Sequence, residues 1–277
     1  TMRVAIYQCE PRPGQVAANL DRLAHAAAEA AARGAELLLC PEMFLTGYNI
    51  GPAAARRLAE PRDGDSARRV GRIALERRLA ILYGYPERDS ADSVFNAAHL
   101  VGGNGSSLGH YRKTHLFGEL DRTMFSASAA ESPVVDLNGW QLGMLICYDV
   151  EFPENARQLA LAGADLIAAP TANMIPYDVV ATTIVPARAF ENQVYVAYAN
   201  YCGREGEIEY CGLSCVASPD GTELARAGRS ETLIVADLDR SRMAASRSIN
   251  PYLTDRRPEL YQGLASPVAT PPRSPGS

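Results

Sequence analysis

The sequence of 277 residues is poor in lysine, in net positive charge and in long apolar runs. Its 27 basic residues include one lysine, Lys113, and its net charge is −5. An acidic chain without a basic stretch is not typical of proteins that bind nucleic acid. The longest apolar runs, such as 37–40 and 142–147, are far shorter than the ~20 residues that span a bilayer. The sequence therefore predicts a protein that binds neither nucleic acid nor a membrane.

Cysteine is also scarce, with six residues in the whole chain. This number is too small for a disulfide scaffold in a chain of this length. No signal-peptide pattern precedes the strand-like run that begins at residue 2, so we expect reduced thiols and a cytoplasmic location. Cys211 and Cys215 lie four residues apart, but no second pair and no histidine cluster accompanies them. No metal site is predicted.

Apolar, strand-like runs alternate with segments of helical period along most of the chain. Strands are predicted at 2–9, 36–40, 80–85, 94–101, 107–111, 133–137, 141–147, 164–169, 193–200, 212–218, 222–227 and 232–238. Helices are predicted at 17–33, 65–79, 153–162 and 178–192. This order predicts an α/β protein with a mixed sheet and helices on its outer faces. We expect a single domain over residues 2–262 and a loose, Pro/Ser-rich tail over 263–277.

Two charged side chains stand where predicted strands end. Glu42 follows the buried run 37–40 and Pro41, where partial loss of solvent raises the pKa of a carboxyl group and suits a general base. Lys113 ends a predicted hairpin strand. The other 26 basic residues are arginines, so a lysine here indicates a position that needs a compact ammonium group. Taken singly, the two residues also fit an exposed loop glutamate and a solvated basic residue.

Cys147 ends a third predicted strand, before a sharp turn and a helix that we expect to begin near Pro153. A strand–turn–helix of this kind can project a nucleophile from a strained elbow beneath backbone N–H groups. A thiol near cations tends to lose its proton and become nucleophilic. A buried structural cysteine is the alternative interpretation, so the case for catalysis depends on all three residues occurring together.

Three motifs, taken together, resemble the nitrilase superfamily of carbon–nitrogen hydrolases. They are PEMFLTGY at 41–48, YRKTHLF at 111–117 and ICYDVEFPE at 146–154. The resemblance extends from residue 2 to about residue 262. It implies a four-layer α-β-β-α sandwich and a Glu-Lys-Cys triad in this chain order.

The resemblance also implies a role for each member of the triad. Glu42 is the general base, Lys113 stabilises the tetrahedral oxyanion, and Cys147 is the nucleophile. The backbone N–H of Tyr148 is the expected second oxyanion donor. These groups supply base, electrophile and nucleophile between them, so we expect no cofactor and no metal.

Many members of the superfamily carry a second glutamate that positions the lysine or the substrate. Counting back four residues from Phe125, as the family pattern requires, gives Asp121 in place of a glutamate. Glu119 lies two residues earlier. The register favours Asp121 for this role, and Glu119 remains the alternative.

Longer strings narrow the resemblance to amidases of short ω-amino amides, such as 5-aminopentanamide, and to related R-stereoselective amidases. They include MFLTGYNIG at 43–51, KTHLFGELDR at 113–122 and EIEYCG at 207–212. These strings imply hydrolysis of the amide by water to an acid and ammonia, through a thioester, in a homodimer or a larger homo-oligomer. An N-carbamoyl amine amidohydrolase, a broader R-selective amidase and a nitrilase stay open as alternatives. A catalytically silent binding module on the same fold also stays open, although the intact triad argues against it.

Candidate substrate-binding residues follow predicted strands that should end near the triad. The candidates for lining the pocket are Tyr48, Asn173 and Tyr177. The ammonium group of an ω-amino amide needs an acidic or aromatic partner, because an unpaired buried charge is costly. The acidic candidates for this role are Asp178, Glu205, Glu207 and Glu209.

Overall fold

A computed structural model describes residues 1–267 of the chain. Its strands are β1 (Met2–Gln8), β2 (Leu37–Leu39), β3 (Ala80–Arg88), β4 (Val94–Val101), β5 (Ser107–Arg112), β6 (Val134–Leu137), β7 (Trp140–Met144), β8 (Leu166–Pro170), β9 (Tyr195–Ala199), β10 (Arg204–Glu205), β11 (Ile208–Glu209), β12 (Cys215–Ala217), β13 (Glu223–Arg226) and β14 (Thr232–Leu238). Its α-helices are α1 (Val16–Ala32), α2 (Gly51–Leu58), α3 (Asp65–Arg77), α4 (Gly118–Met124), α5 (Pro153–Leu161), α6 (Val185–Asn192), α7 (Arg240–Ile249) and α8 (Tyr252–Asp255). Short 3-10 turns cover Cys147–Glu151, Pro258–Leu260 and Gln262–Ala265, and a π turn, Val180–Ile184, precedes α6.

The long strands form two six-stranded sheets. The first has the order β14-β1-β2-β3-β4-β5, and the second has the order β13-β12-β9-β8-β7-β6. Neighbours β1, β2 and β3 are parallel in the first sheet, and β7, β8 and β9 are parallel in the second. The remaining neighbours are antiparallel, so both sheets are mixed. Strands β10 and β11 form a separate hairpin.

The alternation of side chains along each strand explains the layering. In β1, Val4 and Ile6 pack between the two sheets, whereas Ala5 and Tyr7 face the layer that contains α1 and α3. Both faces of the strand are therefore buried, which explains why most residues in its sequence are apolar. A third apolar cluster packs α5 and α6 against the outer face of the second sheet. Three cores between four layers give the expected α-β-β-α sandwich.

The structure departs from the predicted elements at several places. The predicted strand 141–147 ends at Met144, because the N–H of Ile146 donates to the side chain of Asp149 at 3.0 Å. The predicted helix 178–192 is divided into a π turn and α6. Helices α2, α4, α7 and α8 were not predicted. Of the predicted tail, residues 268–277 lie outside the described residues.

The chemistry of the cysteines is simple, since all six are free thiols. None of the helices within residues 1–267 combines the length and the apolar character needed to cross a membrane. Over the same range, no three His, Cys, Asp or Glu side chains come together in a way that could hold a metal ion.

Candidate active site

Lys113 lies fully buried just after β5, between two carboxylates. Its Nζ donates to Glu42 Oε1 at 2.8 Å and to Asp121 Oδ2 at 2.6 Å. None of the three side chains is exposed to solvent. The backbone N–H of Lys113 donates to the carbonyl of Asn96 in β4 at 2.8 Å, which anchors the residue to the first sheet. A buried charge is tolerated only when it is paired and hydrogen-bonded, and both conditions hold here.

Glu42 follows β2 and links the two sheets. Its backbone N–H donates to the carbonyl of Thr171, after β8, at 3.2 Å. Its Oε1 accepts hydrogen bonds from Lys113 and from Asn96 Nδ2, the latter at 2.6 Å. Its Oε2 is buried and has no hydrogen-bond partner among the described residues. This unoccupied oxygen is suited to accept and return a proton.

The pKa values of the pair follow from burial and from their mutual charges. Burial raises the pKa of Glu42, the charge of Lys113 opposes the rise, and the charge of Asp121 adds to it. Burial lowers the pKa of Lys113, but the charges of Glu42 and Asp121 outweigh burial and hold that pKa well above its ordinary value. The ammonium group therefore stays charged, and it can stabilise an oxyanion without reorganising.

Cys147 opens the 3-10 turn Cys147–Glu151, which we call the nucleophile turn. Its φ of +46° lies in the left-handed region that side-chain-bearing residues rarely adopt. Arg188 braces the turn from α6, because its Nε donates to the carbonyl of Val150 at 2.9 Å and its Nη2 donates to that of Glu151 at 2.7 Å. The predicted elbow is therefore present, although it begins from extended backbone beyond the end of β7.

The thiol of Cys147 is not acidified by its surroundings. Burial and the negative charge of Glu42 raise its pKa well above the ordinary value, and the positive charge of Lys113 opposes that rise only in part. This outcome differs from the expectation that nearby cations would remove the proton. The resting thiol is neutral, so its proton must be transferred when the sulfur attacks a substrate.

Asp149 ties the nucleophile turn to the segment around Lys113. Its buried carboxylate accepts hydrogen bonds from the N–H of Ile146 at 3.0 Å, from Tyr111 Oη at 2.8 Å and from the N–H of His115 at 2.9 Å. Tyr111 and His115 flank Lys113 in the sequence. One carboxylate thus fixes the second sheet's turn relative to the first sheet's lysine.

The structure brings Asp121, and not Glu119, to the lysine. In addition to its bond with Lys113, Asp121 accepts a hydrogen bond at Oδ1 from Tyr48 Oη at 2.7 Å. The side chain of Glu119 is 84% exposed and pairs with Arg122 on the same helix, α4. Glu119 therefore has no direct contact with the buried charges.

Tyr48 and Asn173 are buried and hydrogen-bonded within the protein. The ring centroid of Tyr48 lies 5.9 Å from Lys113 Nζ, and its hydroxyl is bound to Asp121. The N–H of Asn173 donates to Asn200 Oδ1 at 2.8 Å, and its own Nδ2 donates to the carbonyl of Tyr177 at 2.9 Å. Both predicted pocket residues thus position their neighbours.

Four aromatic side chains form a chain of ring contacts beside the nucleophile turn, which we call the aromatic rim. The ring of Tyr148 meets those of Phe117 and Phe152 edge to face, with centroid distances of 5.4 and 4.9 Å. Phe117 meets Tyr177 in the same way at 6.3 Å. Tyr177 is 46% exposed, so it forms the outer end of the rim.

Glu205, one of the acids predicted to bind a substrate amine, is hydrogen-bonded to the loop after β2. Its buried carboxylate accepts hydrogen bonds from the N–H groups of Tyr48 and Asn49 at 3.1 and 2.9 Å. It also accepts one from Tyr210 Oη at 2.5 Å. Three donors already occupy this carboxylate, which therefore shapes the loop behind the site.

The other three acids predicted for that role lie at the surface. Asp178 pairs with Arg229 at 2.5 Å. Glu209 pairs with Arg204 across the β10–β11 hairpin at 3.3 Å, and Glu207 is exposed at the turn of the same hairpin. These contacts do not favour the expectation that one of the four acids receives the substrate amine.

Sequence reasoning did not single out Glu151, which closes the nucleophile turn. Its side chain is partly buried, yet it forms no hydrogen bond or ion pair with any of residues 1–267. Burial raises the pKa of Glu151, and the charges of Lys113 and Arg188 oppose the rise. The motif ICYDVEFPE contains two glutamates, and only the fold distinguishes this one from the exposed Glu154.

The carbon-nitrogen hydrolase family matches residues 3–248. A Pseudomonas protegens protein named "Hydrolase in pqqF 5'region" is 60% identical over 265 residues, which cover 96% of this chain and 92% of that protein. An (R)-stereoselective amidase of a Pseudomonas species is 35% identical over 257 residues, which cover 92% of both proteins.

The fold also has a counterpart among solved structures. An amidase variant from Nesterenkonia sp. AN1, in which acrylamide has added to the active-site cysteine, superimposes with a TM-score of 0.83 at 34% identity. The match covers 95% of this chain and 100% of that chain. The chain belongs to the carbon-nitrogen hydrolase family, which is the nitrilase superfamily. Within that superfamily it is a hydrolase of carbon–nitrogen bonds that is similar to amidases.

Proposed function

We propose that this hydrolase cleaves short aliphatic ω-amino amides, such as 5-aminopentanamide, to the carboxylic acid and ammonia. The observation that carries the proposal is the buried contact of Lys113 with Glu42 and Asp121 beside the thiol of Cys147. The similarity to two amidases supports an amide as the reacting group. The strings shared with ω-amino amidases support the amine at the far end.

In the proposed acylation step, the Cys147 thiol gives its proton to Glu42 as the sulfur attacks the amide carbon. The carbon–sulfur bond forms and the carbonyl oxygen takes up the negative charge. Lys113 stabilises this oxyanion together with the backbone N–H of Tyr148. Glu42 then passes the proton to the nitrogen, the carbon–nitrogen bond breaks, and ammonia leaves a thioester on Cys147.

In the proposed deacylation step, Glu42 removes a proton from a water molecule, whose oxygen attacks the thioester carbon. The same oxyanion donors act again. The carbon–sulfur bond breaks, the sulfur regains a proton from Glu42, and the carboxylic acid is released. The reaction consumes one amide and one water and needs no other reactant. Asp121 takes the role of a positioning residue, since its Oδ2 accepts a hydrogen bond from Lys113 Nζ and holds the ammonium group in place.

Ammonia release from a matched set of substrates tests the proposal. The set contains 5-aminopentanamide, pentanamide, an aliphatic nitrile and an N-carbamoyl amine. We expect the highest kcat/KM for 5-aminopentanamide. A higher value for the nitrile or for the N-carbamoyl amine would replace the amidase proposal with the corresponding alternative, and no turnover of any substrate would favour a silent binding module.

A broader R-selective amidase is the second candidate, because an (R)-stereoselective amidase is 35% identical to this chain. Paired R and S amides with a stereocentre next to the carbonyl distinguish the two candidates. A strong preference for one enantiomer, together with weak turnover of 5-aminopentanamide, would favour the second candidate.

A homodimer or larger assembly in the cytoplasm remains a prediction. Exposed apolar side chains near the end of the described chain support self-association, among them Ile249 at 76% and Leu264 at 70% exposure. Light scattering during size-exclusion chromatography measures the assembly. The prediction that no metal or cofactor is needed is tested by activity after dialysis against a chelator.

A further inference from the structure

Glu151 is a carboxylate without a counter-ion at the edge of the site. Arg188 lies next to it, but this guanidinium is used by the carbonyls of Val150 and Glu151 and by the carboxylate of Glu191 at 2.9 Å. The charges of Lys113 and Arg188 act on Glu151 from a distance, but no cation among residues 1–267 forms an ion pair with its side chain. A partly buried anion that lacks a partner costs free energy. A cationic ligand would remove that cost.

The position of Glu151 fits the length of the proposed substrate. Glu151 and Cys147 are the last and first residues of one 3-10 turn. A 3-10 helix rises about 2.0 Å per residue, so the two Cα atoms are about 8 Å apart along its axis. In a 5-amino amide, five bonds of about 1.5 Å separate the carbonyl carbon from the nitrogen and span about 6 Å when extended. The length of such an amide is therefore sufficient for its ammonium group to reach this carboxylate when its carbonyl carbon is at the thiol.

The surroundings of Glu151 also suit a cation. Side chains three residues apart eclipse each other on a 3-10 helix, so Glu151 lies on the same side of the turn as Tyr148. Tyr148 packs against Phe117, which is four residues from Lys113 in the sequence, and both rings belong to the aromatic rim. The faces of aromatic rings attract ammonium groups.

We infer that Glu151 is the specificity-determining residue that binds the ammonium group of an ω-amino amide, with the aromatic rim enclosing the alkyl chain. The inference rests on the proposed amidase function and deepens it. The acids Asp178, Glu205 and Glu209 have protein partners, so Glu151 is the better placed anion for this purpose.

The experiment measures kcat/KM for 5-aminopentanamide and for pentanamide, which lacks the amine, with the wild-type protein, Glu151→Gln and Glu151→Asp. Glu151→Gln should lower the ratio of the two values by about ten- to hundredfold, as expected for the loss of a hydrogen bond to a charged group. Glu151→Asp keeps the charge and should retain most of the ratio. Glu154→Gln, on the exposed first turn of α5, is the matched control and should leave the ratio at the wild-type value.

The ratio is the decisive quantity, because a variant that folds poorly loses active enzyme equally for both substrates. Inhibition of pentanamide hydrolysis by butylammonium gives a second readout, and the inhibition constant should rise about tenfold or more in Glu151→Gln. If the wild-type protein prefers the amine and Glu151→Gln keeps that preference, the inference is overturned while the proposed function stands. If the wild-type protein shows no preference, the ω-amino substrate class itself fails, and the inference fails with it.

Discussion

The two sheets contribute opposite kinds of groups to the active site. The first sheet supplies Glu42 and Lys113, and helix α4 adds Asp121; the three side chains are completely buried and joined by short hydrogen bonds. The second sheet supplies Cys147 and the rest of the nucleophile turn, which is partly exposed and begins at a positive φ. The charged half is thus shielded and fixed, whereas the half that meets the substrate is open and conformationally strained.

The difference in solvent exposure between the two halves has a physical reason. Electrostatic stabilisation of an oxyanion is strongest when the charge is held rigidly and away from water. A nucleophile, in contrast, has to be reached by the substrate and has to change its bonding during the reaction. Asp149 is the connection between the halves, because its carboxylate binds Ile146 on one side and His115 on the other.

Substitution of Cys147, in the partly exposed nucleophile turn, should have the largest effect on turnover. Cys147→Ala should abolish turnover, since no other group can form the thioester, while the fold survives because the side chain is small. Cys147→Ser should be nearly inactive, because a hydroxyl is a far weaker nucleophile at neutral pH. Ammonia release and circular dichroism check the two outcomes, and Cys215→Ala, at a buried thiol of β12, should retain activity. Full activity in Cys147→Ala would remove the proposed nucleophile.

The shielded half should tolerate almost no change at its lysine. Lys113→Arg keeps the positive charge, but a planar guanidinium does not fit the space of a compact ammonium between Glu42 and Asp121. We expect kcat to fall by about 10²–10³-fold, close to the loss in Lys113→Ala. Arg122→Lys on the exposed face of α4 is the control. Retention of more than about a tenth of wild-type kcat by Lys113→Arg would show that charge alone is sufficient.

A smaller effect should separate the two candidate second acids. Asp121→Asn should lower kcat by about ten- to hundredfold, because the amide cannot balance the ammonium charge and holds Lys113 less firmly. Glu119→Gln should stay close to wild type, since that side chain is exposed. Steady-state kinetics on the two variants decide the matter, and equal effects would mean that the contact of Asp121 with Lys113 has no kinetic consequence.

The pH profile should report the charges of the shielded half. The base form of Glu42 exists above its pKa, and burial raises that pKa, so the acid limb of kcat/KM should lie above the ordinary glutamate value of about 4.3. The negative charge of Asp121 contributes to the rise. Asp121→Asn should therefore move the acid limb to lower pH. A limb that stays in place or moves to higher pH in this variant would contradict the assignment of the limb to Glu42.

The smallest effect concerns stability behind the site. Glu205→Gln should lower the free energy of unfolding by about 1–3 kcal/mol, because a buried carboxylate with three donors is replaced by an amide. Glu207→Gln, two residues further on, should change it by less than about 0.5 kcal/mol, as is usual for an exposed side chain. Urea denaturation measures both. An equal loss in the two variants would show that burial of Glu205 is not what matters.

Much of the fold could be predicted because several of its strands are buried on both faces. Runs such as 37–39 and 166–170 are apolar, and proline or charged residues stand at or next to their ends. The sandwich of two sheets came from the family resemblance, since periodicity alone indicated only a mixed sheet. Helix α7 was not predicted because Arg240–Ile249 begins with three polar or charged residues and has only a narrow apolar face.

The triad could be predicted because each member stands at a strand end and belongs to a specific motif. The roles of the acidic residues could not be predicted, because the hydrogen-bond partners of each carboxylate are remote from it in the sequence. Glu205 is bonded to the backbone of Tyr48, 157 residues away. Glu151 differs from Glu154 only in what surrounds it. The pKa of Cys147 likewise depends on burial and on Glu42, which no local pattern reveals.

The hydrogen bond from the Glu42 N–H to the Thr171 carbonyl joins the two sheets beside the reacting groups. The reaction rate therefore depends on the distance between the sheets. Base and electrophile stand on one sheet and the nucleophile stands on the other, so the gap between the reacting atoms is set by the side chains of the middle layer. A tightly packed interior resists compression and transmits strain. Hydrostatic pressure, or the removal of a methyl group from the far end of that layer, therefore acts on the reaction coordinate without touching any reacting atom.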